Sequence, residues 1–205
     1  MKKSNPLFDE LIVIDDPTPR PGPLNMAIDE VLLSRARSAI LRFYRWNEPA
    51  ISFGYFVTFA EASVAAGDRA MVRRWTGGGI VPHGADLTYS IMIGSNSDTF
   101  SLPSKSIYEN VHRALCSALM ATNGDGPLLA VAALYERRNE ADSAVIDRRY
   151  NGSIQRGNLS EEFRRIFSQL LANQFITSAI DLDILSMAEE LGATKYAADA
   201  WLHRR

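Results

Sequence analysis

Apolar and polar positions alternate or recur along the chain in short blocks, and each block predicts an element. Glu10–Asp16, ELIVIDD, reads as a short buried strand, and Pro17–Pro23 as a loop. In Asn25–Ala36 the apolar residues Ile28, Val31, Leu32 and Ala36 fall at helical spacing and predict one buried stripe. Ala39–Trp46 and Ala50–Phe56 are rich in β-branched and aromatic residues. They predict neighbouring strands separated by Asn47-Glu48-Pro49. Ala70–Thr76 predicts a further strand, and Asp86–Ile93 resumes as one after a glycine run.

The second half reads as helical. Ser104–Ala121 has an amphipathic stripe through Ile107, Val111, Ala114, Leu115 and Ala118, with Ser106 and Glu109 as a capping box. Val145–Asp147 and Ser153–Gln155 predict short strands. Ser160 is the expected cap of a third helix, whose stripe is Phe163, Ile166, Phe167, Leu170 and Leu171. Asp181–Arg205 predicts helix, with Gly192 as a stop. Strands first and helices later predict an α+β fold in which helices pack on a sheet.

Composition narrows the class. The 205 residues are 46% apolar and 22% charged, as expected of one folded domain over 1–205. A net charge of −2 does not suggest a nucleic-acid surface, while leaving room for a local basic pocket. One cysteine excludes an internal disulfide and fits a reducing compartment. No stretch nears the roughly 20 apolar residues of a membrane span, and no secretory leader is visible. The expected location is cytoplasmic.

One stretch carries candidate chemistry: RRWTGGGIVPH, Arg73–His83. A hairpin turn needs one or two glycines. Three in a row let the backbone approach a ligand and aim consecutive N–H groups at an anion. On a strand Arg73 and Arg74 point to opposite faces, so one of them could reach a phosphate or carboxylate while the other faces away. The plain alternative is a glycine-rich hairpin with solvated arginines. His83 and Asp86 could lie at the mouth of the same loop. No zinc-ligand spacing links His83, His112, Cys116 and His203. His112 and Cys116 are one helical turn apart, but nothing local to Cys116 resembles an oxyanion site.

These motifs resemble the lipoate–protein ligase, octanoyltransferase and biotin–protein ligase superfamily. R-R-x-T-G-G-G-x-V-x-H followed by D-L-x-Y-S carries the resemblance. NMAIDEVLL, LRFYRWNEPAISFGYF, NGSIQ and KYAADAW extend it over most of residues 10–202. The resemblance implies a mixed, largely antiparallel β-sheet flanked by helices, like that of class II aminoacyl-tRNA synthetases. It implies an acyl or acyl-adenylate pocket lined by Arg73, Thr76, Gly77, Gly78, Gly79, Val81 and His83. Asp86 would stand beside it, Tyr44, Trp46, Gly54 and Tyr55 would form its wall, and Gly152 and Ser153 would close it.

By the same resemblance, a ligase activates lipoate or octanoate with ATP and Mg2+ as acyl-AMP. It then acylates a lysine of a lipoyl domain, such as glycine cleavage H protein or a 2-oxoacid dehydrogenase E2. An octanoyltransferase takes the acyl group from acyl carrier protein or another lipoyl domain instead. A non-catalytic binder of a lipoyl-like ligand is a third reading. No nucleic-acid or membrane partner is implied.

The chain departs from the family at its catalytic lysine. Its lysines are Lys2, Lys3, Lys105 and Lys195, and none lies between Ser106 and Gln155, where the family's lysine is expected. Cys116 lies inside a helix, so the nucleophile of the cysteine-dependent octanoyltransferases does not carry over either. Three explanations are open. The chain could be non-catalytic, Arg148 or Arg149 could replace the lysine, or the lysine could sit on loop residues missing from the sequence as written. The intact pocket motif favours the third.

Overall fold

The computed structural model describes residues 6–84, 86–94, 97–122 and 156–204, with the backbone alone for 156–160. The predicted strands at Val145–Asp147 and Ser153–Gln155 lie outside the described residues, as do Gly152 and Ser153. The chain forms two compact units. One comprises residues 1–11 and 101–175, the other 12–100 and 176–205.

The described elements are β1 (Phe8–Asp15), α1 (Gly22–Arg35), β2 (Ala39–Tyr44), β3 (Ala50–Phe53), α2 (Phe59–Ala66), β4 (Ala70–Arg73), β5 (Ile80–His83) and β6 (Thr88–Met92). They continue as α3 (Ser104–Thr122), α4 (Arg156–Leu171), β7 (Ala172–Ser178), α5 (Leu182–Leu191) and α6 (Asp199–Leu202). One sheet has the order β6-β2-β1-β7 and a second the order β4-β3-β5. Strand β3 is parallel to β4 and antiparallel to β5, and β2 is antiparallel to β6. This is the expected α+β class of strands flanked by helices. The two runs read as neighbouring strands, β2 and β3, belong instead to different sheets.

Helix α1 starts three residues earlier than its periodicity predicts, because Pro21 at the N-cap and Pro23 in the first turn suit a helix start. It buries more than one stripe. Its apolar side packs with β2, β4, α5 and the turn after α5, where Ile28, Val31, Trp46, Val72 and Tyr196 share a core. Its polar side is buried as well. Arg42 of β2 is fully buried and bonds Asp16 and Asp29 at 2.8 Å each and Asn25 Oδ1 at 2.9 Å. Burial alone would raise the Asp16 carboxyl's pKa, but hydrogen bonds and charge from Arg20 and Arg42 outweigh it and hold it below its usual value. Asn25, Asp29 and Arg42, all in stretches that carry the family resemblance, therefore act here as framework.

Helix starts are where periodicity misleads most. Helix α3 begins at Ser104, so Ser106 lies inside the first turn, where Glu109 pairs with Lys105 at 3.8 Å. A true capping box forms at Thr58 and Glu61, opening α2, and is worth about 1 kcal/mol. Helix α4 begins at Arg156, so Ser160 is not its cap. Of its predicted stripe, Phe163, Phe167 and Leu171 are buried, whereas Leu170 is 40% exposed. Gly192 follows the last residue of α5, but in right-handed backbone, and the chain goes on as a π-helical turn over Gly192–Tyr196. There Lys195 Nζ bonds both Glu30 oxygens, at 2.7 and 2.8 Å, and the Tyr196 hydroxyl donates to the same carboxylate.

Among the described residues, no helix is long and apolar enough to cross a membrane.

Candidate functional site

The glycine run links β4 to β5, the two outer strands of the three-stranded sheet, around the end of β3. Its backbone is fastened to the residues after β3. Tyr55 N donates to Thr76 O at 2.8 Å, and Gly54 N donates to Gly79 O at 3.1 Å. This close approach requires glycine at 54. A Cβ there would overlap the Gly78 carbonyl oxygen and lie 2.8 Å from Gly77 C. Gly78 has φ +95°, a region L side chains rarely adopt. Among the described residues, the N–H groups of Gly77, Gly78 and Gly79 make no hydrogen bond, although Gly79 is exposed and its neighbours half-buried. Consecutive unbonded N–H groups on a held backbone are what an anion or a polarised carbonyl can accept.

The two arginines do separate, as the strand geometry predicts. Arg73 is fully buried and its guanidinium is taken up by backbone carbonyls. Nε donates to Trp201 O and Leu202 O at 3.1 Å, Nη1 to Tyr55 O at 2.9 Å and Val57 O at 2.7 Å, and Nη2 to Leu202 O at 2.9 Å. It lies over the Phe53 ring, and Trp201 Nε1 donates back to Arg73 O at 3.0 Å. Its described contacts make it a strut between the β3–α2 connection and α6 rather than a ligand contact. Arg74 folds back on the glycine run, with Nη1 2.9 Å from Ser52 Oγ and Nη2 3.2 Å from Gly77 O and 2.8 Å from Gly79 O.

His83 closes β5 and is buried. Its Nε2 lies 2.7 Å from Ser52 Oγ and its Nδ1 3.2 Å from Asp86 Oδ2. Trp46 stacks on the imidazole at 3.9 Å and donates Nε1–H to Thr88 Oγ1 at 2.9 Å, and Thr88 donates to Asp86 Oδ2 at 2.9 Å. Gly84 N donates to the other Asp86 oxygen at 2.6 Å. Burial raises the pKa of Asp86, but the hydrogen bond to His83, the Gly84 amide, the imidazole's charge and Thr88 together bring it down to about 2.

Of the expected site residues, Trp46, His83 and Asp86 thus meet directly, and Gly54 meets Gly78. Tyr55 lies 5.9 Å from the Trp201 ring. Thr76 is exposed and Val81 half-buried on β5. Tyr44 is 4% exposed, under the Arg42 guanidinium, and burial raises its phenol pKa strongly. Ser52 and Thr88 were missed. Ser52 is a polar residue between Ile51 and Phe53 on a strand, and that break in apolarity was its one signal.

The sequence assigns no catalytic residue, and the lysine and the cysteine each have a described partner elsewhere. In its unit the one lysine, Lys195, is paired with Glu30. Cys116 belongs to the other unit, on α3, with Sγ 3.6 Å from His112 Nε2. The sequence runs unbroken through residues 123–155 without a lysine, so a lysine on missing loop residues is not the explanation for its absence.

Residues 21–125 match the family described as the lipoyl protein ligase A/B catalytic domain. Octanoyltransferase LipM of Symbiobacterium thermophilum is 46% identical over 82 residues, which are 36% of this chain and 30% of that protein. Octanoyltransferase LipM of Oceanobacillus iheyensis is 35% identical over 109 residues, 49% of this chain and 40% of that protein. The chain thus spans about a third of the length of the curated relatives it matches. Among solved structures, a Thermoplasma acidophilum protein with bound lipoic acid superposes with a TM-score of 0.68 at 19% identity, covering 95% of this chain and 99% of that one. A lipoate-protein ligase A bound with ATP gives 0.65 at 18% identity, covering 96% and 98%. These two likenesses show a shared fold.

Proposed function

Because the chain belongs to the lipoyl protein ligase A/B catalytic-domain family, we propose that it is an octanoyltransferase, moving an octanoyl group from acyl carrier protein to a lysine of a lipoyl domain. The acceptor would be a glycine cleavage H protein or the E2 of a 2-oxoacid dehydrogenase. The observation that carries this reading is the glycine run, where three successive N–H groups have no hydrogen bond among the described residues while the carbonyls of Gly77 and Gly79 are held by Arg74. A thioester carbonyl gains negative charge on oxygen as an amine attacks it. Donors fixed beforehand stabilise that charge without reorganising. The acceptor lysine's nitrogen forms the new C–N bond, the C–S bond breaks, and the carrier leaves as a thiol with the proton the amine gives up. Close approach is possible because positions 77–79 have no side chain.

Transfer is preferred to ATP-dependent ligation, the first expectation from the sequence, because the curated relatives named above are octanoyltransferases. In the ligase reading ATP with Mg2+ would activate lipoate or octanoate, and the same N–H groups suit a phosphate. A second reading, a non-catalytic binder of the acyl group, is favoured by one observation: no lysine lies between Ser106 and Gln155, where the family's lysine is expected.

The test is to incubate the full chain with octanoyl-acyl carrier protein and an apo lipoyl domain, and to follow octanoyl addition by intact mass. Addition without ATP supports the transferase. Pyrophosphate release from ATP with octanoate or lipoate, and no transfer from the carrier, replaces it with the ligase. Octanoate binding with neither activity leaves the binder. Gly78→Val forces a β-branched residue to φ +95°, with its Cβ 3.0 Å from Arg74 Nη2. It should abolish octanoate binding in a calorimetric titration, whichever of the three readings holds.

A further inference from the structure

Ser52, His83 and Asp86 have the connectivity of a nucleophilic triad: hydroxyl to Nε2 at 2.7 Å, Nδ1 to carboxylate at 3.2 Å. Two facts argue against Ser52 as a nucleophile. Ser52 is 2% exposed, on the central strand with Val72 and Val81 as its cross-strand partners. Its oxygen already accepts Arg74 Nη1 at 2.9 Å. A nucleophile needs an open approach, and a hydrogen bond from a guanidinium draws electron density from the oxygen that would attack.

The other end of Arg74 supplies the alternative. Its Nη2 holds the carbonyls of Gly77 and Gly79. An unbroken hydrogen-bonded chain therefore runs Asp86–His83–Ser52–Arg74 to the glycine backbone. We propose that this relay is the device that orients the glycine run, with Arg74, Ser52 and His83 as positioning residues. The proposal rests on the reading of the glycine run as the site of acyl transfer.

The geometry follows from planarity. In a trans peptide the C=O and the next N–H point in opposite directions. Drawing the Gly77 carbonyl onto Arg74 therefore turns the Gly78 N–H away from Arg74. A guanidinium does this well because its nitrogens form a rigid fork. With Nη1 anchored on Ser52, the plane of the fork is set and Nη2 can hold two carbonyls at once. For a neutral imidazole, hydrogen matching fixes the rest. Ser52 accepts from Arg74, so its one hydrogen goes to His83 Nε2. The imidazole's own hydrogen is then on Nδ1, facing Asp86 Oδ2. In that arrangement the Ser52 hydroxyl and both imidazole nitrogens each have a partner. Trp46 stacked on the imidazole and bonded to Thr88, itself bonded to Asp86, braces it from β6. Three strands of the second sheet and the start of β6 thus act on one loop.

The test labels the full chain with 15N-glycine and follows the amides of Gly77, Gly78 and Gly79 in the wild type, Ser52→Ala and Arg74→Gln. Melting curves verify that each variant folds. The relay predicts moved glycine amide signals, that of Gly78 above all, in both variants. For transfer from octanoyl-acyl carrier protein, it predicts kcat lower by roughly ten- to a hundredfold with KM nearly unchanged. Ser52→Thr, which keeps the hydroxyl, should restore both readouts, while Arg74→Lys should not, since a point charge cannot span Ser52 and two carbonyls. Unmoved glycine signals in either folded variant overturn the proposal. So do moved signals with an unchanged kcat. If the wild type transfers nothing, the transferase reading falls alone, and the glycine signals still decide the relay.

Discussion

Arg73 is the sharpest place to test whether a motif residue serves the ligand or the fold. Arg73→Met keeps much of the side chain's length and apolar body but removes all five donors. It leaves the carbonyls of Tyr55, Val57, Trp201 and Leu202 without this partner in a site the arginine fully buries. A net hydrogen bond to a charged donor contributes about 1.5–3 kcal/mol, and a buried carbonyl left unpaired costs about 1–3 kcal/mol. The carbonyls of Trp201 and Leu202 sit on half-exposed residues and regain water, so the total should fall near 3–4 kcal/mol, not at the sum of five bonds. That is a large part of the roughly 5–15 kcal/mol that holds a domain together. Arg73→Lys should lose about half as much, since one ammonium cannot reach both pairs of carbonyls. Urea unfolding followed by tryptophan fluorescence measures the change. Hydrogen exchange at residues 199–203 should show α6 released first. A loss below about 1 kcal/mol, less than one hydrogen bond from a charged donor contributes, with octanoate affinity abolished, would refute the strut and return Arg73 to the pocket.

Gly54→Ala should displace the glycine run, because its Cβ would overlap Gly78 O; a loss of about 2–3 kcal/mol, the usual cost of overpacking, should appear in thermal unfolding together with lost octanoate binding. Asp86, with its pKa brought from 3.8 to about 2, contributes stability that is fully present above pH 3.8 and lost as pH falls toward 2. The stability difference between wild type and Asp86→Asn should therefore shrink across that window in urea titrations, and a constant difference would contradict the assignment. Glu30→Gln removes the carboxylate shared by Lys195 and Tyr196 and should cost about 1 kcal/mol, less at high salt, by the same unfolding assay.

What was legible in the chain divides along physical lines. Local periodicity found α1, α3 and most strands of the first half, because one-sided burial leaves a repeat of 3.6 or 2. The start of α3 at Ser104 was found, but a serine three residues before a glutamate imitated a cap at Ser106, while Thr58 and Glu61 formed the real box. The glycine run was legible because three glycines have few uses, and the separation of Arg73 from Arg74 followed from strand alternation. The partner of each arginine was not legible. Trp201 and Leu202 lie 128 and 129 positions from Arg73, and no local pattern announces such a contact. Pairing of β2 and β3 was over-read from adjacency, since a short connection permits a change of sheet as readily as a hairpin. Ser52 stayed hidden because a serine on a buried strand has meaning only once His83 and Arg74 are placed beside it.

The clasp between Arg73 and α6 also bears on how the protein is made. Ribosomes add about 5–20 residues per second. The 128 positions between Arg73 and Trp201 therefore correspond to very roughly 6–25 s of synthesis. For that interval the strand leading into the glycine run exists with its buried cation uncovered and part of its carbonyl cage unmade. The end of β4 thus cannot set early in translation; it waits for α6, and a chain halted before that helix would carry the motif without the means to hold it in shape.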